Sequence, residues 1–321
     1  MPEKNRVMGF DMGGTKMLAV VLDENYEPCG QAKVRTPVGA GNKETLAAIV
    51  ALIREAFDDA DAKPKQLAAI GIAVPGPIDR AAGRVISMPN VDMRDYALRD
   101  ELEEAIGVPV VLENDVNAGT YGEFTAGAAK GVRNVVGVFP GTGVGGGIVI
   151  DGALYRGRTG SAGEVGHMIV DAGGRRCGCG KYGCLEAVAS KTAIAKDLVH
   201  LAMKGQAPTV LEKAGTDIAK IKSKLIRQAM DAGEKPVIEV VERAAWYLGV
   251  GLGSLVDIFD PDLVVVGGGL VEKLGDLYLK PVENSMREHT MIDSDVRLVA
   301  ASLGDDSVIV GSAALAWREQ E

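Results

Sequence analysis

The sequence holds few histidines, few cysteines and few aromatic residues: three, four and 4% respectively in 321 residues. Four cysteines in a chain of this length exclude a disulfide scaffold and point to a reducing compartment, the cytoplasm. No apolar run approaches the ~18 residues that a membrane span needs. The opening MPEKNRVMGFD has no apolar core of the kind a signal peptide carries. Long basic blocks are missing too, and 35 basic against 44 acidic residues leave a net charge of -9. Nucleic-acid binding therefore has no electrostatic footprint. What these absences leave is a folded cytoplasmic protein whose partners are small molecules, with no nucleic acid and no membrane.

Glycine, in contrast, is abundant, with 42 residues placed in bursts after apolar runs, where tight turns and ligand loops belong. Residues 7–22 read as strand, glycine turn (DMGGTK) and strand. A helix is expected around Lys43–Asp59, with Leu46, Ile49, Val50, Ile53 and Phe57 on one face. LAAIGIAVPGP reads as a buried strand ending on a Pro-Gly-Pro turn, Asp95–Ile106 as a helix, VPVVLEND as a strand and Ala118–Lys130 as a helix. The pattern then restarts. NVVGVFPGTGVGGGIVIDG repeats strand, glycine turn and strand, a weak internal duplication. Residues 188–256 are mostly helical in pattern, with a polar interval near 205–216. DLVVVGGGL is a late strand and Ser307–Trp317 a closing helix. Alternating strands and helices in two similar halves predict an α/β architecture with a cleft between them. The expected division is 1–118 and 119–306, with the helix at 307–321 returning to the first half.

Three glycine turns follow strands: DMGGTK at 11–16, GTGVGGG at 141–147 and GGG at 267–269. Glycine lets backbone N–H groups approach an anion without a Cβ in the way. None matches the P-loop pattern. GTGVGG fits G-x-G-x-x-G but is followed by a strand, which argues against a dinucleotide fingerprint. A plain hairpin turn is the alternative for each loop taken singly. Asp11 is placed to hold magnesium through water, with Thr15 and Lys16 at phosphate oxygens. LENDVNAGTYGE sets Glu113, Asn114 and Asp115 at the carboxyl end of a strand, where ligands of α/β sheets lie. Asp115 can serve as the carboxylate that accepts a hydroxyl proton, with Asn114 orienting that hydroxyl. Helix N-capping explains Asn and Asp here equally well, and both readings stand.

CGCGKYGCLE packs three cysteines into eight residues, spaced C-x-C-x4-C. A tetrahedral zinc site needs one more ligand, and His167, ten residues before Cys177, is the nearest of the three histidines. A redox pair would favour C-x-x-C in a thioredoxin-like setting, which is missing. Four protein ligands close the coordination shell, so the expected Zn2+ is structural. It would tie GEVGH (163–167) to CLE (184–186) and bring Glu164 and Glu186 near one another. The second imidazole nitrogen would be left to an outer partner such as a substrate hydroxyl.

Together DMGGTK, GIAVPGPID, ENDVNAGTYGE, GTGVGGG, GEVGH, CGCGKYGCLE and VVVGGG, in this order from Asp11 to Gly269, resemble the ROK family of bacterial sugar kinases and sugar-responsive repressors. The pairing of GEVGH with the cysteine run is the specific part. The resemblance implies an actin/hexokinase-like (ribonuclease H-like) fold, duplicated into two lobes that close on ATP and a sugar. It implies that Asp115 deprotonates the sugar hydroxyl, and that Asn114, Glu164, His167 and Glu186 bind sugar hydroxyls, with Gly76 and Asn90 lining the same pocket. ATP with Mg2+ would be held by Asp11, Gly13, Gly14, Thr15 and Lys16, by Gly141, Thr142 and Gly143, and by Gly267, Gly268 and Gly269. His167, Cys177, Cys179 and Cys184 would bind zinc. Assembly as a homodimer or homotetramer is implied as well.

Repressors of the family carry a helix-turn-helix domain before the first glycine loop. Only ten residues precede Asp11 here, so an enzyme is expected. AGEVGH resembles the glucokinase-type members, which implies glucose converted to glucose 6-phosphate. An N-acetylhexosamine kinase (acetylglucosamine or acetylmannosamine) is the next reading, then a fructokinase, and last a non-catalytic sugar-sensing regulator. Two departures stand out: Met93 occupies a position where many glucokinases have tryptophan, and Pro140 replaces an aliphatic residue.

Overall fold

The computed structural model describes residues 5–88, 91–291 and 295–320. The chain begins with β1 (Arg6–Met12), β2 (Lys16–Leu22), β3 (Pro28–Arg35), α1 (Asn42–Asp59) and β4 (Leu67–Val74). Three short strands follow, β5 (Ile78–Asp79), β6 (Arg84–Ser87) and β7 (Arg94–Tyr96), then α2 (Leu98–Ile106), β8 (Val110–Asn114) and α3 (Asp115–Thr125). Next come β9 (Val135–Pro140), β10 (Val144–Ile150) and β11 (Ala153–Leu154). A helical stretch comprises α4 (Glu186–Ala189), α5 (Lys191–Met203), α6 (Pro208–Ala214), α7 (Ser223–Asp231) and α8 (Lys235–Phe259). The remainder is β12 (Leu263–Val266), α9 (Gly269–Leu274), α10 (Asp276–Glu288), β13 (Arg297–Ala300) and α11 (Asp306–Arg318).

Two compact units result. One comprises Met1–Val132, Gly147–Gly163 and Asp305–Glu321; the other comprises Arg133–Gly146 and Glu164–Gly304. The first unit is built on a sheet of order β3-β2-β1-β4-β8, with β2 antiparallel to both β1 and β3 and with β1, β4 and β8 mutually parallel. Successive side chains of a strand point to opposite faces, and the two faces have separate cores. Met8, Phe10, Val21, Ile70 and Ile72 pack with Ile49, Ile53, Leu98 and Leu102 from α1 and α2. Val7, Val20, Leu22, Ala69 and Val111 pack with Ile309, Ala313 and Ala316 from α11. Every residue of β4 is buried, as a central strand covered on both faces requires.

On the α11 side the approach is close enough to exclude a Cβ. A methyl group on Gly9 or Gly71 would overlap the carbonyls of Ile309 or Ser312 on α11, and one on Gly311 would overlap the carbonyl of Ala118 on α3. All of these are backbone atoms and cannot swing aside. Gly311→Val is therefore expected to destabilise the protein by more than ~4 kcal/mol, the range of severe core overpacking. A urea melt of the purified variant measures it, and a midpoint close to wild type would show that the helices can separate cheaply.

The second sheet has the order β11-β10-β9-β12-β13, the chain passing into the first unit within β10. β12 is parallel to β9 and β13, and β10 is antiparallel to β11. Three strands adjacent in sequence followed by two crossover strands is the order of the first sheet as well. The weak repeat of the sequence is thus a repeat of topology, the actin/hexokinase-like plan. In the second unit, Val136, Val138, Val264 and Val266 face a core with Leu198, Ile226, Leu248, Leu252 and Tyr278 from the helices.

Some elements differ from expectation. The helix expected over 95–106 starts at Leu98, because Arg94–Tyr96 pairs as a strand with β6. The helix expected over 118–130 runs instead from Asp115 to Thr125. Asn114 caps it at one end, and past the other the buried Glu123 carboxylate accepts the Ala128 N–H at 2.8 Å. The polar interval near 205–216 contains α6, started by Pro208 and anchored by buried Val210 and Ala214. Among the described residues no helix is long and apolar enough to cross a membrane.

Candidate functional site

In the first unit the candidate groups gather at the carboxyl ends of β1 and β8. Asn114 closes β8 in extended conformation, and its side-chain oxygen accepts the N–H groups of Val116 at 3.0 Å and Asn117 at 3.2 Å. Asn114 is thus the N-cap of α3, and its amide NH2, which also donates to the Asp115 carboxylate, keeps a second hydrogen to meet a ligand. Asp115 is the first helical residue, with Oδ1 accepting the Val116 N–H at 2.9 Å. Burial raises the pKa of Asp115 above the ordinary carboxylate range, opposed by the hydrogen bonds from Val116 and Asn114. A base with a raised pKa takes a proton more readily near neutral pH. Capping therefore falls mainly to Asn114, which leaves the buried Asp115 carboxylate as the candidate proton acceptor.

Asp11, near the end of β1, has its pKa pushed up to about 6, first by burial and then by the negative charge of Asp115, with Lys16 acting against both. A buried carboxylate further destabilised by a second carboxylate's charge is chemically suited to a divalent cation. The residues between β1 and β2 do form a hairpin turn, Met12 pairing with Met17. Thr36 closes over it, its hydroxyl donating to the Gly13 carbonyl at 2.5 Å and its N–H to the Thr15 carbonyl at 3.1 Å. Lys16 Nζ lies 2.7 Å from Asp305 Oδ2, at the head of α11. Gly76, between Pro75 and Pro77, has φ +102°, a conformation L side chains rarely adopt. Asn90 lies outside the described residues.

In the second unit the ligand atoms of His167, Cys177, Cys179 and Cys184 all lie within 4.8 Å of one another. Tetrahedral zinc with bonds of ~2.3 Å to sulfur and ~2.0–2.1 Å to nitrogen sets ligand–ligand edges of ~3.5–3.8 Å. The Cys179–Cys184 Sγ separation and the Cys177 Sγ to His167 Nδ1 separation are both 3.7 Å. Neither is a disulfide, and all four cysteines are free. Without a cation, burial pushes the thiols of Cys177 and Cys184 up, while the Lys181 N–H pulls Cys179 down. The donor set fits zinc.

Backbone geometry builds the knot. The Cys177 N–H donates to Lys181 O at 2.8 Å and the Gly180 N–H to Cys177 O at 3.0 Å, making a tight turn. Gly183 has φ +78°, and a Cβ there would overlap the Asp171 carbonyl. His167 ends a short 3-10 turn, with Nδ1 toward the cysteines and Nε2 3.8 Å from Glu164 Oε2. Glu186 opens α4 with Oε1 3.4 Å from Cys177 Sγ and Oε2 accepting the Val144 N–H at 3.2 Å. Its carboxylate is thereby held between the knot and the glycine turn at 141–143. That turn is fixed in its own right. The N–H of Lys191 donates to Gly141 O at 2.9 Å and the Thr192 hydroxyl to Thr142 O at 2.6 Å. Gly267 and Gly268 join β12 to α9, which opens on Gly269. Gly268 takes φ +87°, and a Cβ on Gly267 would crowd Phe139 and Ala301.

Two features escape the sequence reading. Asp305, the partner of Lys16, is signalled only by an acidic pair in LGDDS at the start of the closing helix. Glu113 is named there only as a neighbour of Asn114, whereas the structure pairs it with Arg156 at 2.7 Å.

The family model described as "ROK family" matches residues 7–319. A glucokinase of Streptomyces coelicolor is 37% identical over 320 residues, covering 96% of each chain. The crystal structure of a ROK family glucokinase from Streptomyces griseus in complex with glucose and AMPPNP superposes with a TM-score of 0.83 at 35% identity, covering 98% of this chain and 99% of that one. The crystal structure of a ROK hexokinase from Thermus thermophilus gives a TM-score of 0.85 at 33% identity, with 98% of each chain covered.

Proposed function

The chain belongs to the ROK family, and we propose that it is an ATP-dependent glucokinase, transferring the γ-phosphoryl group of ATP to the 6-hydroxyl of glucose. The observation that carries this reading within the chain is the Asn114–Asp115 junction, a cap and a buried, proton-avid carboxylate side by side. Asp115 takes the hydroxyl proton as the oxygen attacks phosphorus, and Asn114 orients that hydroxyl through its amide NH2. Glu186, held by the Val144 N–H, accepts hydrogen bonds from sugar hydroxyls, and Glu164, beside His167 Nε2, does the same. His167 gives Nδ1 to the metal and Nε2 to the sugar.

The turns at 13–16, 141–143 and 267–269 supply backbone N–H groups to ATP phosphates, and Lys16 exchanges Asp305 for a phosphate oxygen. Mg2+, when bound with ATP near Asp11, neutralises charge on the β- and γ-phosphates. Zn2+ held by His167, Cys177, Cys179 and Cys184 would be structural, since four protein ligands would leave no position for water. A coupled assay with glucose, acetylglucosamine, acetylmannosamine, fructose and mannose tests the assignment. Glucose is expected to give the highest kcat/KM. Preference for an acetylated sugar would reassign the substrate, and no phosphoryl transfer to any sugar would end the kinase reading.

Asp11 makes this reading pH-sensitive in a definite direction. Its pKa is raised from 3.8 to about 6, so the ligand-free fold binds the extra proton. The stability from that proton is fully present below 3.8 and is lost as pH rises through about 6. A cation competes with the proton and restores stability where it has been lost. MgATP is therefore expected to raise Tm more at pH 7.5 than at pH 5 in thermal-shift measurements. Equal shifts at both pH values would remove Asp11 from the cation's surroundings.

A further inference from the structure

Glu113 is 2% exposed, deep for a carboxylate, and the first unit supplies its partners. Arg156 Nε lies 2.7 Å and Arg80 Nε 3.6 Å from Oε2. Oε1 accepts the Asn114 backbone N–H at 3.0 Å and the Asn117 side-chain NH2 at 3.0 Å. Arg80 also lies against Glu319, just past the end of α11. Three stretches of chain converge on this one carboxylate: the β8–α3 junction, the segment that leaves the Pro75-Gly76-Pro77 turn, and the segment after β11. Its two Oε1 bonds bracket Asp115, one to the residue before it and one to the residue two after it.

An Arg–Glu–Arg triad around one buried carboxylate is weak grounds for stability, because apolar replacements of such groups are often as stable. What it fixes is direction. From this geometry we infer that Glu113 is a positioning residue: with Arg156 and Arg80 it sets the β8–α3 junction, and thereby Asp115, against the loop that carries Gly76. The inference rests on Asp115 being the proton acceptor. Glu113 itself touches no reacting atom. Its effect comes through geometry, and misplacement by ~1 Å lowers rates by about 10²-fold. A displaced acceptor also lets water compete for the phosphoryl group, so that ATP is hydrolysed to ADP and phosphate without a sugar phosphate being made.

Glu113→Gln keeps the side-chain volume and removes the charge. The expected result is kcat lowered by about 10–100-fold, with KM for glucose and ATP within about threefold of wild type. The ratio of glucose 6-phosphate formed to ADP released should fall below one. Arg156→Met should show the same pattern, and the double variant should be little worse than either single, since the two residues act as one unit. A merely structural Glu113 would lower Tm and the fraction of protein that binds glucose, yet leave kcat per glucose-binding site and the product ratio at wild-type values. That result overturns the inference. If Glu113→Gln does not fold, Arg156→Lys, which keeps the charge but loses the Nε contact, decides on the same two readouts. Normal turnover in Asp115→Ala would instead remove the proton acceptor itself, a different failure from an inactive Asp115→Ala beside a normal Glu113→Gln.

Discussion

Asp115→Ala is expected to lower kcat by about 10²–10⁴-fold while leaving glucose affinity within a few-fold of wild type. The split follows from the division of labour at the head of α3. Asn114 satisfies the first free N–H groups of the helix, so removing the Asp115 carboxylate leaves the cap and the local fold intact. Glucose keeps its other hydrogen-bond partners, whereas the hydroxyl proton loses its acceptor in the transition state. Calorimetric titration with glucose and steady-state kinetics on the same preparation separate the two effects. Asp115→Asn should behave similarly, since the amide keeps the shape but cannot take the proton. Near-normal turnover in both variants would falsify the assignment.

The second large effect is expected at the cysteine knot. Wild-type protein should carry about one zinc per chain by the count of four ligands, measurable by plasma emission spectroscopy. Cys177→Ser should lose the metal and raise KM for glucose by about 10–100-fold, the usual consequence of disturbing a metal site's surroundings, with a smaller fall in kcat. The asymmetry comes from Glu186. One carboxylate oxygen is 3.4 Å from Cys177 Sγ, and the other is bonded to Val144 N–H in the strand that follows the glycine turn. Loss of the knot frees one anchor of a carboxylate proposed to bind the sugar, while Asp115 keeps its capped helix. A Cys177→Ser protein that retained stoichiometric zinc, or lost it with KM unchanged, would separate the metal from sugar binding.

How much of this the sequence discloses depends on whether the determining contact is local. The candidate zinc donor set is legible because C-x-C-x4-C and one nearby histidine are enough chemistry to define it, and the four ligand atoms do converge. Strands β1, β4, β9 and β12 are legible because largely apolar runs against glycine or proline turns have few alternatives. The Asn114–Asp115 ambiguity was not soluble from sequence, since capping and catalysis select the same residue types. Only the hydrogen bonds assign the cap to one and leave the other buried. Glu113 hides for a different reason. Its partners Arg80 and Arg156 lie 33 and 43 residues away, and no periodicity connects them. α6 hides inside the polar interval near 205–216: its apolar face is short, and Pro208 sits at the first turn, where proline is tolerated.

The glycine contacts of α11 bear on how the protein is made. The sheet it covers is complete in sequence once β8 has been synthesised, yet the helix that buries Val7, Val20, Ala69 and Val111 comes only after all of the second unit. At ~5–20 residues per second a ribosome needs roughly 10–40 s to bridge that interval. Throughout it one face of the sheet is bare, with Gly9 and Gly71 leaving a shallow trough along it. Nascent chains of this topology are thus natural clients for a chaperone that shields an apolar surface until α11 emerges.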